Sequence, residues 1–202
     1  CVCDGMGGHA AGEVASSIAV ETIAKTAPQS ADAARLAAAV EAANAAVIEA
    51  AMNGLGKPGM GCTATCAYIE NDTLAIAHVG DSRAYLLHEG TLIRVTRDHS
   101  YVEELVDAGE ITADEARVHP NRSVITRALG SDPAMYADHF TLHIEEGDRL
   151  ILCSDGLSSM IPDSDIENIA TQSSTAQICV DNLVDAALAA GENTVTVSYR
   201  GQ

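Results

Sequence analysis

Four acidic residues stand where carboxylates can act together. They are Asp4 in Asp4-Gly5-Met6-Gly7-Gly8-His9, Asp81 in Val79-Gly80-Asp81-Ser82-Arg83-Ala84, Asp155 in Ser154-Asp155-Gly156-Leu157 and Glu192 in Gly191-Glu192-Asn193-Thr194. The first three each follow an apolar run of strand character, and Glu192 precedes one. A carboxylate at a strand end projects from a rigid element, and an adjacent glycine turns the chain sharply and exposes its carbonyl. Taken singly, each Asp-Gly reads better as an ordinary turn. Taken together, they form a set of hard oxygen donors suited to Mg²⁺ or Mn²⁺. Clustered carboxylates repel one another, and a cation relieves that repulsion. Two such cations about 3.5–4 Å apart can bridge a water, lower its pKa and hold a phosphate for in-line attack.

The elements that must position these residues follow from hydrophobic period. Ala11, Val14, Ala15, Ile18, Ala19, Thr22 and Ile23 recur at helical spacing and predict a helix over 12–27, ended by Pro28. Ser30 is the expected N-cap of a second, alanine-rich helix from 31 to about 52. After the loop residues Asn53-Gly54 and Lys57-Pro58-Gly59 the period changes, and strands are expected over 62–70, 73–79, 83–88 and 91–95. Asn71-Asp72 and Glu89-Gly90 supply hairpin turns. Residues 74–79 are mostly apolar on both faces, which implies a sheet covered on both sides. Strands over 140–144 and 149–153, helices over 163–171 and 175–190, and a last strand over 194–199 complete an α+β pattern in one domain of 202 residues. Residues 98–127 are polar and poor in large apolar side chains, with short helices expected over 101–108 and 113–117. This excursion is either a flap beside a site or a plain surface insertion.

Composition narrows the class. The 47% apolar content supports a real core, and the 3% aromatic content means that Ala, Val, Ile and Leu build it. Lys plus Arg is 11 against 29 for Asp plus Glu, a net charge of −18 that argues against nucleic acid or an anionic membrane as partner. No apolar run spans a bilayer and no signal peptide is present, so a cytoplasmic protein is expected. Cys1, Cys3, Cys62, Cys66, Cys153 and Cys179 sit mostly in apolar runs, as buried free thiols of a reducing compartment do. A zinc site from Cys1/Cys3 and Cys62/Cys66 is the other reading, but the CxxC spacing is absent. Nothing in the sequence specifies an oligomer.

Six motifs occur in order: Asp4-Gly5-Met6-Gly7-Gly8-His9, Gly61-Cys62-Thr63-Ala64, Val79-Gly80-Asp81-Ser82-Arg83-Ala84, Asp98-His99-Ser100, Val124-Ile125-Thr126-Arg127-Ala128-Leu129-Gly130 and Ser154-Asp155-Gly156-Leu157. Together they resemble the metal-dependent Ser/Thr protein phosphatases of type 2C, in their bacterial form, over nearly the whole chain. The resemblance implies a four-layer sandwich of two antiparallel β-sheets flanked by α-helices. It implies two Mn²⁺ or Mg²⁺ ions, with a weak third, and hydrolysis of phosphoserine and phosphothreonine in proteins, Ser/Thr kinases among them. Carried over, Asp4 resembles the carboxylate that bridges both metals, Gly5 the donor of a backbone carbonyl, Asp155 a ligand of the first metal and Asp81 a ligand of the third. Asp4 and Asp155 are accordingly the expected catalytic residues. Residues 98–127 resemble the family's flap, in which His99, Arg117 and His119 are candidates to approach substrate.

The departures are specific. The family's upstream strand, with a phosphate-binding Arg and an acidic pair, would precede Cys1, so an N-terminally incomplete phosphatase domain is expected. The family's last ligand is an Asp in Gly-x-Asp-Asn, where this chain has Gly191-Glu192-Asn193. Met6 stands where many eukaryotic members carry a His, and no general acid is assigned. Ser159 occupies the position of a second third-metal Asp. These departures motivate an alternative, a phosphatase-fold binding module impaired in catalysis. A nuclease or other metallohydrolase is a third reading. His78 is expected to be a hydrogen-bonded core residue, and Arg83 an ion-pair partner rather than a phosphate ligand.

Overall fold

Alanine sets the first pair of helices. Ala11, Ala15 and Ala19 on one helix and Ala37, Ala43 and Ala50 on the next are all buried, and such small side chains let helix backbones approach closely. The computed structural model describes residues 1–191 and 196–200. In chain order the first elements are β1 (Gly5–Met6), α1 (His9–Thr26), α2 (Ala33–Met52), β2 (Gly61–Cys62), β3 (Ala64–Glu70), β4 (Thr73–Val79), β5 (Arg83–His88) and β6 (Thr91–Arg94). There follow α3 (Tyr101–Asp107), α4 (Ala113–Val118), β7 (Asp138–His143), β8 (Arg149–Cys153), α5 (Asp155–Ser158), α6 (Asp163–Gln172), α7 (Ala176–Ala189) and β9 (Val197–Arg200).

The chain divides into two units. Residues 3–81 and 98–143 form one, and residues 82–97 with the described residues from 144 onward form the other. In the first, an antiparallel sheet of order β3-β4-β7 packs on α2, and α2 packs on α1. Leu36, Val40, Val47, Val79 and Leu129 fill the space between, and no tryptophan or phenylalanine is used in this core. In the second, an antiparallel sheet of order β6-β5-β8-β9 packs on α6 and α7 around Tyr85, Ile151, Leu157, Ile166 and Leu183. Tyr85 is fully enclosed, and its hydroxyl donates to Asp163 at 2.9 Å, which satisfies its one polar atom. Glu167 on α6 accepts from the Leu92 N–H at 2.7 Å and so blunts the edge strand β6. Arg149 donates to the carbonyls of Ala170 and Ser173, at 2.6 and 2.9 Å, and closes the C-terminal end of α6. The α+β class, antiparallel sheets flanked by helices, is the one the sequence predicts.

Several local expectations need correction. Cys1-Val2-Cys3 is not a strand; only Val2 makes a bridge, and the pairing strand is Gly5–Met6, antiparallel to Gly61–Cys62. The expected strand over 62–70 breaks at Thr63, whose N–H donates to the Asp4 carbonyl instead of a ladder partner while its Oγ1 accepts the Asp4 N–H. The first helix starts at His9 rather than 12, because Gly8, at φ 90°, turns the chain into it. Asp32, not Ser30, caps α2, accepting the Arg35 N–H at 3.0 Å. The strand β7 begins two residues before the expected 140, because Asp138 pairs with His78. Of the strand expected over 194–199, residues 194 and 195 lie outside the described residues. Among the described residues no helix is long and apolar enough to cross a membrane.

Candidate metal centre

Asp4 is fixed by its backbone. Its N–H donates to Thr63 Oγ1 at 2.9 Å, and its carbonyl accepts the Thr63 N–H at 2.9 Å. The glycine after it answers to a close approach rather than to a turn. A Cβ on Gly5 would lie 2.2 Å from the Gly12 carbonyl oxygen in the first turns of α1. Cys62 lies within electrostatic reach of Asp4. Burial, and then the Asp4 carboxylate, push its thiol up to about 12. Burial likewise raises Cys66, to about 12, and Cys3. These thiols are protonated in the metal-free protein, and the hard oxygen donors of this corner are the ones matched to Mg²⁺ or Mn²⁺.

Asp81 stands one residue after Gly80, which ends β4 at φ 107° with Thr63 packed where a Cβ would sit. Asp81 is buried, 8% exposed. His99 holds this corner from both sides: the Gly80 N–H donates to His99 Nδ1 at 3.0 Å, and the His99 N–H donates to the Gly80 carbonyl at 2.8 Å. A backbone N–H can only donate, so Nδ1 is the acceptor and Nε2 carries the proton. Nε2 then donates to Asp138 Oδ2 at 3.0 Å. His99 is 4% exposed, which corrects its expected approach to substrate: the ring is enclosed and braces the Gly80–Asp81 corner. His78 is a hydrogen-bonded core residue as expected, 3.0 Å from Thr65 Oγ1 and with its ring centroid 5.0 Å from that of His99.

In the second unit, Asp155 follows β8 and opens α5, with Ser154 as N-cap. Gly156 is helical, so the chain turns here by starting a helix and not through a left-handed glycine. Arg83 pairs with Asp163 at 3.7 Å and donates to the Tyr85 hydroxyl at 3.1 Å, the ion-pair role expected of it. Glu192 lies outside the described residues. A cleft of about 300 Å³ in this unit is lined by His88, Glu89, Glu145, Glu146 and Asp148 and contains none of the motif residues.

In the 98–127 excursion, α3 is capped by Ser100 and α4 by a capping box of Thr112 and Glu115. Arg117 on α4 is half-buried, and its Nε is enclosed with no hydrogen-bond partner among the described residues. His119 is half-buried, accepts the Asn121 N–H at 3.1 Å and lies 6.0 Å, ring to ring, from Tyr101.

Asp138 was not legible as a site residue, since no motif surrounds it. Burial pushes its carboxyl up, but hydrogen bonds from Arg127 and His99 outweigh burial and hold it below the usual carboxylate range. A depressed carboxyl contributes stability above its unfolded value, near 4, that is lost as pH falls through the folded value. Asp138→Asn is therefore expected to be less stable than wild type in urea at pH 6–7. That gap should narrow as the pH is lowered below about 4, the ordinary carboxylate value. A gap independent of pH would show that the loss is steric.

Asp4, Gly5 and Asp81 belong to the first unit and Asp155 to the second. Among the described residues no three His, Cys, Asp or Glu side chains group as a metal cluster. The donors nevertheless share one chemistry, carboxylate and backbone carbonyl oxygen, and this fits Mg²⁺ or Mn²⁺.

Two antiparallel sheets with helices packed on them carry these oxygen donors at or beside their strand ends. The family model for protein phosphatase 2C matches residues 1–196. The serine/threonine phosphatase stp of Listeria welshimeri is 36% identical over 204 aligned residues, covering 97% of this chain and 81% of its own length. The PstP phosphatase of Mycobacterium tuberculosis is 43% identical over 169 residues, covering 81% of this chain and 32% of PstP. A crystal structure of the PstP catalytic domain with two manganese ions superposes with a TM-score of 0.87 at 36% identity, covering 98% of this chain and 84% of that one. The chain belongs to the protein phosphatase 2C family.

Proposed function

We propose that the protein hydrolyses phosphoserine and phosphothreonine in proteins with the help of Mn²⁺ or Mg²⁺, and so reverses Ser/Thr kinase signalling in the cytoplasm. The observation that carries this reading is the Asp4–Gly5 corner. It has a backbone pinned on both sides by Thr63 and a glycine forced by close approach. Asp4, the Gly5 carbonyl, Asp155 and Glu192 are the residues that would hold two cations, with Asp81 at a weaker third. When bound, such cations acidify a water and offset charge on the phosphoryl oxygens. The chain's own part is to fix the donors: strand ends and Thr63 hold Asp4, and His99 with Gly80 holds Asp81. Phosphoproteins are the substrates, a Ser/Thr kinase among them, and Arg117 and His119 are the flap residues that would approach the substrate chain. All six cysteines are free, which supports a reducing compartment.

The test is phosphate release from a phosphothreonine peptide with Mn²⁺ titrated against an EDTA control. Turnover that rises with Mn²⁺ and vanishes in EDTA is expected. Folded protein that releases no phosphate at any Mn²⁺ concentration, or that cleaves a phosphodiester faster than the peptide, would overturn the reading.

A further inference from the structure

We infer that Asp138 is a positioning residue whose carboxylate ties both feet of the 98–127 excursion to the Gly80–Asp81 corner. One oxygen accepts from His99 Nε2 at 3.0 Å and the other accepts from Arg127 Nη1 at 2.5 Å. His99 and Arg127 stand at the two ends of the excursion. Between them the feet are zipped by main-chain bonds: Ser100 bridges Ile125, the Tyr101 N–H donates to the Val124 carbonyl at 2.9 Å, and the Thr126 N–H donates to the His99 carbonyl at 2.9 Å. Arg127 is itself oriented, with its guanidinium 4.1 Å over the Tyr136 ring and Nη2 donating to the Tyr136 hydroxyl at 3.1 Å.

The chain of contacts continues inward. His99 holds Gly80 through one hydrogen bond in each direction, and Gly80 packs on Thr63, which pins Asp4. A displacement of the flap's base must therefore move or break His99, and with it the turn that presents Asp81. The segments that meet here are a strand start, two flap feet and a strand end. Each bond is short, and two of them involve a charged group, which makes them the stronger kind.

The functional consequence rests on the reading of Asp81 as a metal ligand and of the excursion as the element that meets substrate. On that reading, loosening Asp138 shifts two properties together, the affinity for a peptide substrate and the Mn²⁺ concentration needed for activity.

The coupling itself is tested on metal-free protein, by amide hydrogen exchange resolved at single residues. In Asp138→Asn, exchange at Gly80 and at Thr126 is expected to rise together, by about tenfold or more, while amides of β5 and β8 do not change. Arg127→Gln, which leaves the carboxylate and removes one partner, should raise Thr126 and, by a smaller factor, Gly80. If Asp138→Asn does not fold, Arg127→Gln decides alone. Faster exchange at Thr126 with Gly80 unchanged would overturn the coupling, as would a uniform rise across both units. In the loaded enzyme, Asp138→Asn should raise KM for a phosphothreonine peptide several-fold and the Mn²⁺ midpoint with it. Its kcat for p-nitrophenyl phosphate at saturating Mn²⁺ should stay within about twofold of wild type. A fall in kcat on the small ester with KM unchanged would overturn the positioning role. Were the wild type inactive, the proposed activity would fail while the exchange experiment still decided the coupling.

Discussion

Asp4→Asn and Asp155→Asn are each expected to remove Mn²⁺-dependent phosphate release almost entirely. Asn matches Asp in shape and keeps one side-chain oxygen, so the fold is spared and the charge is lost. At Asp4 the hydrogen bonds to and from Thr63 run through its backbone and are kept in the Asn variant. At Asp155 the residue opens α5, where Asn is also tolerated and the lost charge costs less than about 1 kcal/mol of helix-end stabilisation. Changes to groups behind a metal ligand cost about 10–100-fold in affinity or activity, and removal of a ligand costs more. The expected loss in kcat/KM on a phosphothreonine peptide therefore exceeds about 100-fold for each variant. Mn²⁺ binding measured by calorimetry should weaken in parallel, while thermal unfolding of the metal-free protein stays close to wild type. Full turnover in either variant would remove that residue from the ligand set.

Gly12→Ala is expected to destabilise the protein, against the rule for its position. Gly12 is inside α1, where alanine ordinarily gains about 1 kcal/mol over glycine. Here a Cβ would stand 2.7 Å from the Gly5 carbonyl carbon and 2.8 Å from its oxygen. Both obstacles are backbone, so relief requires α1 or the Asp4–Gly5 corner to shift. Overpacking of this kind costs about 1–3 kcal/mol, which reverses the sign of the propensity gain. The Gly5 carbonyl is also a proposed metal ligand, so the Mn²⁺ midpoint should rise along with the loss of Tm. A variant with a raised Tm would show that the helix start has room to move.

Much of this protein is written in its sequence, because period and punctuation are local. The alanine spacing of α1 and α2, the alternation that gives β3 to β6, and the positions of α3, α4, α6 and α7 agree with the structure to within a few residues. The motifs from Asp4 to Asp155 were legible for the same reason: each is short and contiguous, and their order identifies the family. Local rules failed where a distant partner decided the outcome. Thr63 leaves its strand because the Asp4 carbonyl, 59 residues away, accepts its N–H and the Asp4 N–H donates to its hydroxyl oxygen. Gly5 is glycine on account of Gly12, and not because the chain turns left-handed there. His99 looked like a residue that meets substrate, and it is a buried brace between Gly80, 19 residues away, and Asp138, 39 residues away. Asp138 carried no motif at all; its role comes from a strand register that sets it opposite His78. Hydrophobic period states which face of an element is buried. It does not state which residue of another element lies against that face, because register and close approach are settled only when the elements pack.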